Sequence, residues 1–104
     1  MNFLNYNYDL NLYKVFLAVA QTKSISKAAE MLYISQPAIS YDIKMLENAL
    51  GGKLFFRTSK GVELTPEAEK LYNTVSNSFN TLSIGERIFT EDRNLDYGDL
   101  FIRM

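Results

Sequence analysis

Gln36, Ser40 and Lys44 stand four residues apart, so an amide, a hydroxyl and an ammonium recur at the spacing of one helical turn. Ser35, Pro37 and Tyr41 lie among them. The set offers hydrogen-bond donors, acceptors and a fixed positive charge, which suits recognition of a polar, anionic surface more than bond-making. The chain contains no His and no Cys. That removes the commonest general base at neutral pH, thiolate chemistry, disulfides and every zinc site built on those ligands. No carboxylate pair, phosphate-binding loop or nucleophile–base pair is visible, so an enzyme is not expected and neither a metal nor a cofactor is called for.

The polar set needs a helix, and the neighbouring residues supply one. Ile39, Ile43, Leu46 and Leu50 step by helical intervals and predict a buried stripe. At about 100° per residue, the Gln36/Ser40/Lys44 set centres roughly 120° from that stripe. Ser35 is the expected N-cap, Pro37 sits in the first turn, where a missing N–H costs nothing, and Gly51-Gly52 ends the helix. Before it, Leu12, Phe16, Val19 and Ala20 predict a helix over 10–22. Ser26 is the expected N-cap of a short helix over 27–32, with Ala28, Ala29 and Leu32 inward, and Tyr33-Ile34 reads as a turn. After it, 54–56 and 62–64 read as two short strands around a turn, Arg57 to Gly61, that carries two cations. Thr65-Pro66-Glu67 then opens a long helix over about 66–90, with Leu71, Val75, Phe79 and Leu82 as its stripe and a fray or bend expected at Gly85. Residues 94–99 read as a linker, and Leu100-Phe101-Ile102 as the beginning of a strand.

At 104 residues the chain is one small domain with room for an appended element. Hydrophobic residues at 47% and charged ones at 22% set aside wholesale disorder. No apolar run approaches the roughly 20 residues needed to span a bilayer. The start of the chain has neither a basic residue nor an apolar core of the secretory type, so a cytoplasmic protein is expected. The net charge of −1 argues on its face against a nucleic-acid partner, but its distribution does not. Residues 23–60 carry six basic side chains against three acidic ones, whereas 61–104 carry four against eight.

Three short helices, a hairpin and a long helix predict a mainly α chain, a winged helix-turn-helix followed by a dimerisation helix. The third helix would lie in a DNA major groove. Gln36 can bridge adenine N6 and N7, Ser40 permits close approach, Tyr41 can stack on a sugar or touch a thymine methyl, and Lys44 can reach phosphate or guanine. Arg57 and Lys60 on the hairpin would touch backbone or minor groove. A helix as long as the last one outruns so small a body, so its stripe of Leu71, Val75, Phe79 and Leu82 is assigned to a homodimer contact, with packing on the first helix as the alternative.

These residues also carry a family resemblance. Ser24-Ile25-Ser26-Lys27-Ala28-Ala29-Glu30-Met31-Leu32, Ser35-Gln36-Pro37-Ala38-Ile39-Ser40, Leu46-Glu47, Leu50-Gly51, Leu54-Phe55-Phe56-Arg57 and Leu64-Thr65-Pro66 resemble the N-terminal DNA-binding domain of LysR-type transcriptional regulators, over about residues 9–92. The resemblance implies a bacterial regulator that dimerises through its long helix, binds an interrupted palindrome, and has a C-terminal effector-binding domain of which only a first strand would begin here. It divides the chain into 1–65, the DNA-binding domain; 66–92, the linker helix; and 93–104, the start of a truncated effector domain. It assigns recognition contacts to Ser35, Gln36, Pro37 and Ser40, backbone contacts to Ser26 and Lys27, and the wing arginine to Arg57. Tyr41 stands where an arginine is usual, Asp42 where a neutral polar residue is usual, and Ala68 where a glycine is common.

Two alternatives stay open at this point. Tyr41 can pack against the first helix or the wing and not read bases. The whole module can be a protein-interaction or dimerisation adaptor that has lost DNA binding, a reading that the net charge, Tyr41 and Asp42 favour.

Overall fold

A computed structural model of the chain describes the backbone of residues 9–98 and the side chains of residues 9–93. The elements are α1 (Leu10–Thr22), α2 (Ile25–Leu32), α3 (Gln36–Leu50), β1 (Phe55–Thr58), β2 (Gly61–Leu64) and α4 (Pro66–Gly98). This is the expected mainly α winged helix-turn-helix with a long terminal helix. Residues 100–102, read as the beginning of a strand, lie outside the described residues.

Each helix begins where a side chain can take up a free backbone donor. Asp9 accepts from Asn11 N at 2.9 Å, Ser24 from Lys27 N at 3.0 Å, Ser35 from Ala38 N at 3.2 Å and Thr65 from Ala68 N at 3.3 Å. The cap of α2 is therefore Ser24 and not Ser26, which lies one residue inside the helix. The reason is the turn before it. Thr22 Oγ1 donates to Ala18 O and accepts from Ser24 N, which holds Ser24 in the extended conformation that a cap requires. The first turn of α4 carries Glu67 and Glu69 beside the positive end of the helix.

The core forms around α1, which packs against α2, α3, α4 and β2. Phe16, Val19, Ile39 and Leu46 are fully enclosed. Phe16 lies 5.6 Å from the ring of Phe55 and 6.4 Å from that of Tyr72, in tilted and edge-on contacts that are worth about 1 kcal/mol each beyond area burial. Leu50, expected to complete the inward stripe of α3, is exposed, because α3 has by then run past the body of the domain. Ala68, at the position where a glycine was expected, is buried.

The two strands are antiparallel, with Phe55 opposite Leu64 and Arg57 opposite Val62. The turn between them is only Ser59-Lys60, so Arg57 belongs to β1 and not to the loop. Leu54, read as strand, is buried just ahead of β1. The long helix is 33 residues, about 50 Å at 1.5 Å per residue, and it continues through Gly85 and through Asn94 to Gly98, where the sequence predicts a linker.

The hairpin is held against the rest of the domain at one backbone contact. Val62 N donates to Lys23 O at 3.1 Å, and a Cβ on Gly61 would collide with that same carbonyl. Gly61 also has φ of 147°, which only glycine adopts without strain. Gly61→Ala is expected to lower stability by about 2–4 kcal/mol through strain and displacement of the hairpin, read as a drop in the urea midpoint at unchanged slope.

Candidate nucleic-acid interface

The face that the sequence singles out is built on α3. Ile39, Ile43 and Leu46 pin the helix to α1 and α2, and Ser35 fixes its first turn. Gln36, Pro37, Ser40, Tyr41 and Lys44 are left exposed on the other side, as is Ser35. Tyr41 is thus directed to solvent and not into the first helix or the hairpin: 64% of it is accessible. Ser26 and Lys27 are exposed at the start of α2, Arg57 on β1 and Lys60 at the tip of the hairpin. All ten predicted contact residues are outside the core. Asp42 departs from this face. It is half-buried and lines a cleft with Asn11, Lys14, Val15, Leu32 and Ile34 on the α1 side, so its charge is turned away from the Gln36/Ser40/Lys44 row.

The turn that aims α3 is tight. Tyr33 ends α2 in the left-handed conformation, φ 59° and ψ 40°, and Ile34 N donates to Ala29 O at 3.1 Å. Its side chain is 93% exposed, so packing does little to offset the cost of a bulky residue there.

Glu47 has a role that its place in the sequence motif does not reveal. Its carboxylate accepts from Leu54 N at 2.8 Å and lies 3.8 Å from the ammonium of Lys53, while its carbonyl accepts from Gly51 N and Gly52 N. Thr65 completes this junction by donating its hydroxyl to Lys53 O at 2.9 Å and its N–H to Leu54 O at 3.0 Å. One residue of α3 therefore sets where the hairpin starts, and so where Arg57 and Lys60 stand relative to the exposed α3 face. The available signal was a carboxylate placed four residues before a Gly-Gly helix stop.

The four residues assigned to the dimer contact separate. Val75 is buried in the core of its own chain, and Leu71 and Phe79 are half-buried against it. Leu82 is exposed, together with Ile84, Ile88 and Phe89 further along. The described residues hold no cluster of three or more acidic side chains that could bind a metal, and no helix among them is long and apolar enough to cross a membrane.

A capped, exposed third helix, a tight turn and a two-stranded hairpin define a winged helix-turn-helix of the nucleic-acid-binding class. A family model described as the bacterial regulatory helix-turn-helix protein, lysR family, matches residues 10–69, and the chain belongs to that family, one of DNA-binding transcriptional regulators and not an enzyme class. The HTH-type transcriptional regulator HdfR of Yersinia pestis (strain Pestoides F) is 39% identical over 79 residues, 76% of this chain and 27% of that protein. The structure of Vibrio fischeri DarR in complex with DNA superimposes with a TM-score of 0.72 at 32% identity, over 86% of this chain and 30% of that one. The complex of the BenM DBD with benA site 1 DNA gives a TM-score of 0.66 at 36% identity, over 78% of this chain and 96% of that one. The chain spans about a quarter of the length of the curated relatives it matches.

Two substitutions probe the scaffold of this face. Glu47→Ala is expected to cost about 1–3 kcal/mol by leaving Leu54 N without its acceptor. Tyr33→Gly is expected to stabilise by about 0.5–1 kcal/mol by relieving the left-handed backbone. Chemical denaturation of both variants beside the parent checks the opposite signs.

Proposed function

We propose that this chain is the DNA-reading part of a homodimeric regulator that binds an interrupted palindrome in double-stranded DNA. One α3 enters the major groove of each half-site. The observation that carries the reading is the exposed Gln36/Ser40/Tyr41/Lys44 face on a capped α3, in a family with members solved on DNA. Gln36 reads a base edge, Ser40 allows close approach, and Tyr41 contacts a sugar or a thymine methyl in place of the arginine usual there. Ser35 and Pro37 shape the helix end that meets the DNA. Lys44 reaches phosphate or guanine. Ser26, Lys27, Arg57 and Lys60 take the backbone on either side, which fixes register without reading sequence.

Residues 1–65 form the DNA-binding unit and α4 the dimerisation element. Residues 66–92 serve as the linker helix and 93–104 lead into an effector-binding part, the helix itself continuing to Gly98. The effector belongs to that further part; the curated relatives are nearly three times as long as this chain. The protein works in the cytoplasm, where bacterial DNA lies. Within α4, Val75 already has its own core as partner, with Leu71 and Phe79 beside it, so the dimer contact rests on Leu82 and the helix beyond. Two linked readers gain affinity by effective concentration.

The adaptor alternative draws on the net charge of −1, Tyr41 and Asp42. It loses Asp42 as an argument, since that carboxylate lies off the exposed face. Selection of duplexes from a random pool at about physiological salt should enrich an interrupted palindrome. Lys44→Ala and Arg57→Ala should each weaken binding and lower the slope of log affinity against log salt by about one. Gln36→Ala should relax one position per half-site by about 1–3 kcal/mol. A folded dimer that enriches no sequence would instead establish the adaptor.

A further inference from the structure

The fold brings Asn48 and Lys53 to the side of Lys44, at the end of α3 far from its cap. With Glu47, Gly51 and Gly52 they line a cleft of about 270 Å³. Around α3, at about 100° per residue, Asn48 and Tyr41 fall within about 15° of the direction opposite the buried Ile39/Ile43/Leu46 stripe, and Lys44 within about 50°. Asn48 is exposed and so continues the outermost row one turn beyond Lys44. Lys53 arrives from the link that leads into β1. Its carbonyl accepts from the Thr65 hydroxyl at 2.9 Å, which fixes its backbone. Its side chain is 73% exposed, with the ammonium 3.8 Å from the Glu47 carboxylate. The Glu47 side chain is only 10% exposed, and one of its oxygens is taken by Leu54 N. The cleft thus offers two ammonium groups and an amide against one largely covered carboxylate, a balance of one positive charge.

We infer that Lys44, Asn48 and Lys53 clamp one backbone phosphate of the bound duplex. This rests on the DNA-reading role proposed above and adds a site to it. A helix of 15 residues is about 22 Å long, nearly twice the roughly 12 Å width of the major groove. With the first two turns of α3 on base edges, its last turns reach the wall of the groove, where the phosphates are. The lining suits a phosphodiester and not a base or a sugar. It presents donors and cations, and no aromatic ring on which a base could stack. A single phosphodiester charge matches the single excess positive charge. Gly51 and Gly52 leave that end of the cleft without side chains, so a phosphate can come close to the backbone. Lys53 is held by Thr65 and steadied by Glu47 before DNA arrives, so little freedom remains to be lost on binding. The clamp lies between the reading turns of α3 and the hairpin that carries Arg57 and Lys60. It fixes register there without reading sequence.

The test uses a duplex recovered by the selection described above. Lys53→Ala should weaken binding about three- to tenfold on every duplex and lower the slope of log affinity against log salt by about one, and Lys53→Arg should restore both. Asn48→Ala should weaken binding about two- to fivefold, equally on all sequences and at unchanged slope, because it removes a neutral donor. Both side chains are exposed, so the urea midpoint should hold in each variant. A purely structural Lys53–Glu47 pair would instead shift that midpoint and leave the slope alone. A scan with single methylphosphonate linkages, which carry no charge, then locates the phosphate. At one linkage per half-site the parent should lose affinity while Lys53→Ala loses no more than it already has. A parent that binds tightly while Lys53→Ala and Asn48→Ala match it in affinity and slope would overturn the clamp and leave the DNA-reading role standing. Relaxed preference at one base in Asn48→Ala would overturn the phosphate assignment of that residue. A parent that retains no duplex even at low salt would overturn the clamp and the DNA-reading role together.

Discussion

Phe16 is the side chain on which the geometry of the molecule depends. It is wholly enclosed, and its ring touches Phe55 of the hairpin and Tyr72 of the long helix. The helix that carries it packs on both members of the helix-turn-helix. One aromatic cluster therefore joins three parts: the helix-turn-helix, the hairpin and the long helix. Close packing transmits position because a filled core has no low-energy way to let one of these parts shift alone.

The surroundings of that core convert packing into direction. Backbone and carboxylate contacts place the hairpin twice: at its start through Glu47 and Thr65, and on its return strand through the Lys23 carbonyl. Neither contact involves DNA. Both set the distance between the α3 face and the hairpin cations. Charge follows the same division. The basic excess lies in residues 23–60, which hold the exposed α3 face and the hairpin cations, and the acidic excess lies in 61–104, which includes α4. The net charge of the chain therefore says little about the surface presented to an anion.

The long helix presents a packed face near its start and an exposed apolar face further along. Its first turns complete the core through Ala68, Leu71, Val75 and Phe79, and its later turns leave that body behind with Leu82, Ile88 and Phe89 uncovered. Its mean apolarity is spread around the helix, so a single stripe is a poor description of it. The change of face along its length explains why a residue counted into one stripe by spacing can belong to the fold or to an assembly.

Local chemistry made much of this legible. Ser35 and Pro37 before an apolar stripe, Gly51 after it, and Thr65-Pro66 ahead of the last helix announced their elements because capping acts within three or four residues. The exposed row of Gln36, Ser40 and Lys44 followed from period alone, since a helix buried on one side must show the other. What depended on distant partners did not follow. Ser24 displaced Ser26 as the cap because Thr22 bonds into the turn before it. Glu47 could not be seen as a junction until the hairpin start lay beside it. Val75 and Leu82 look alike in a periodic stripe, and only the point at which α4 leaves the domain distinguishes them. The sequence by itself determined the elements, their order and the polar face of the third helix, because those rest on neighbours along the chain. Tertiary structure alone decided which apolar residues of α4 have a partner and where the hairpin sits, because burial depends on what arrives from elsewhere in the chain.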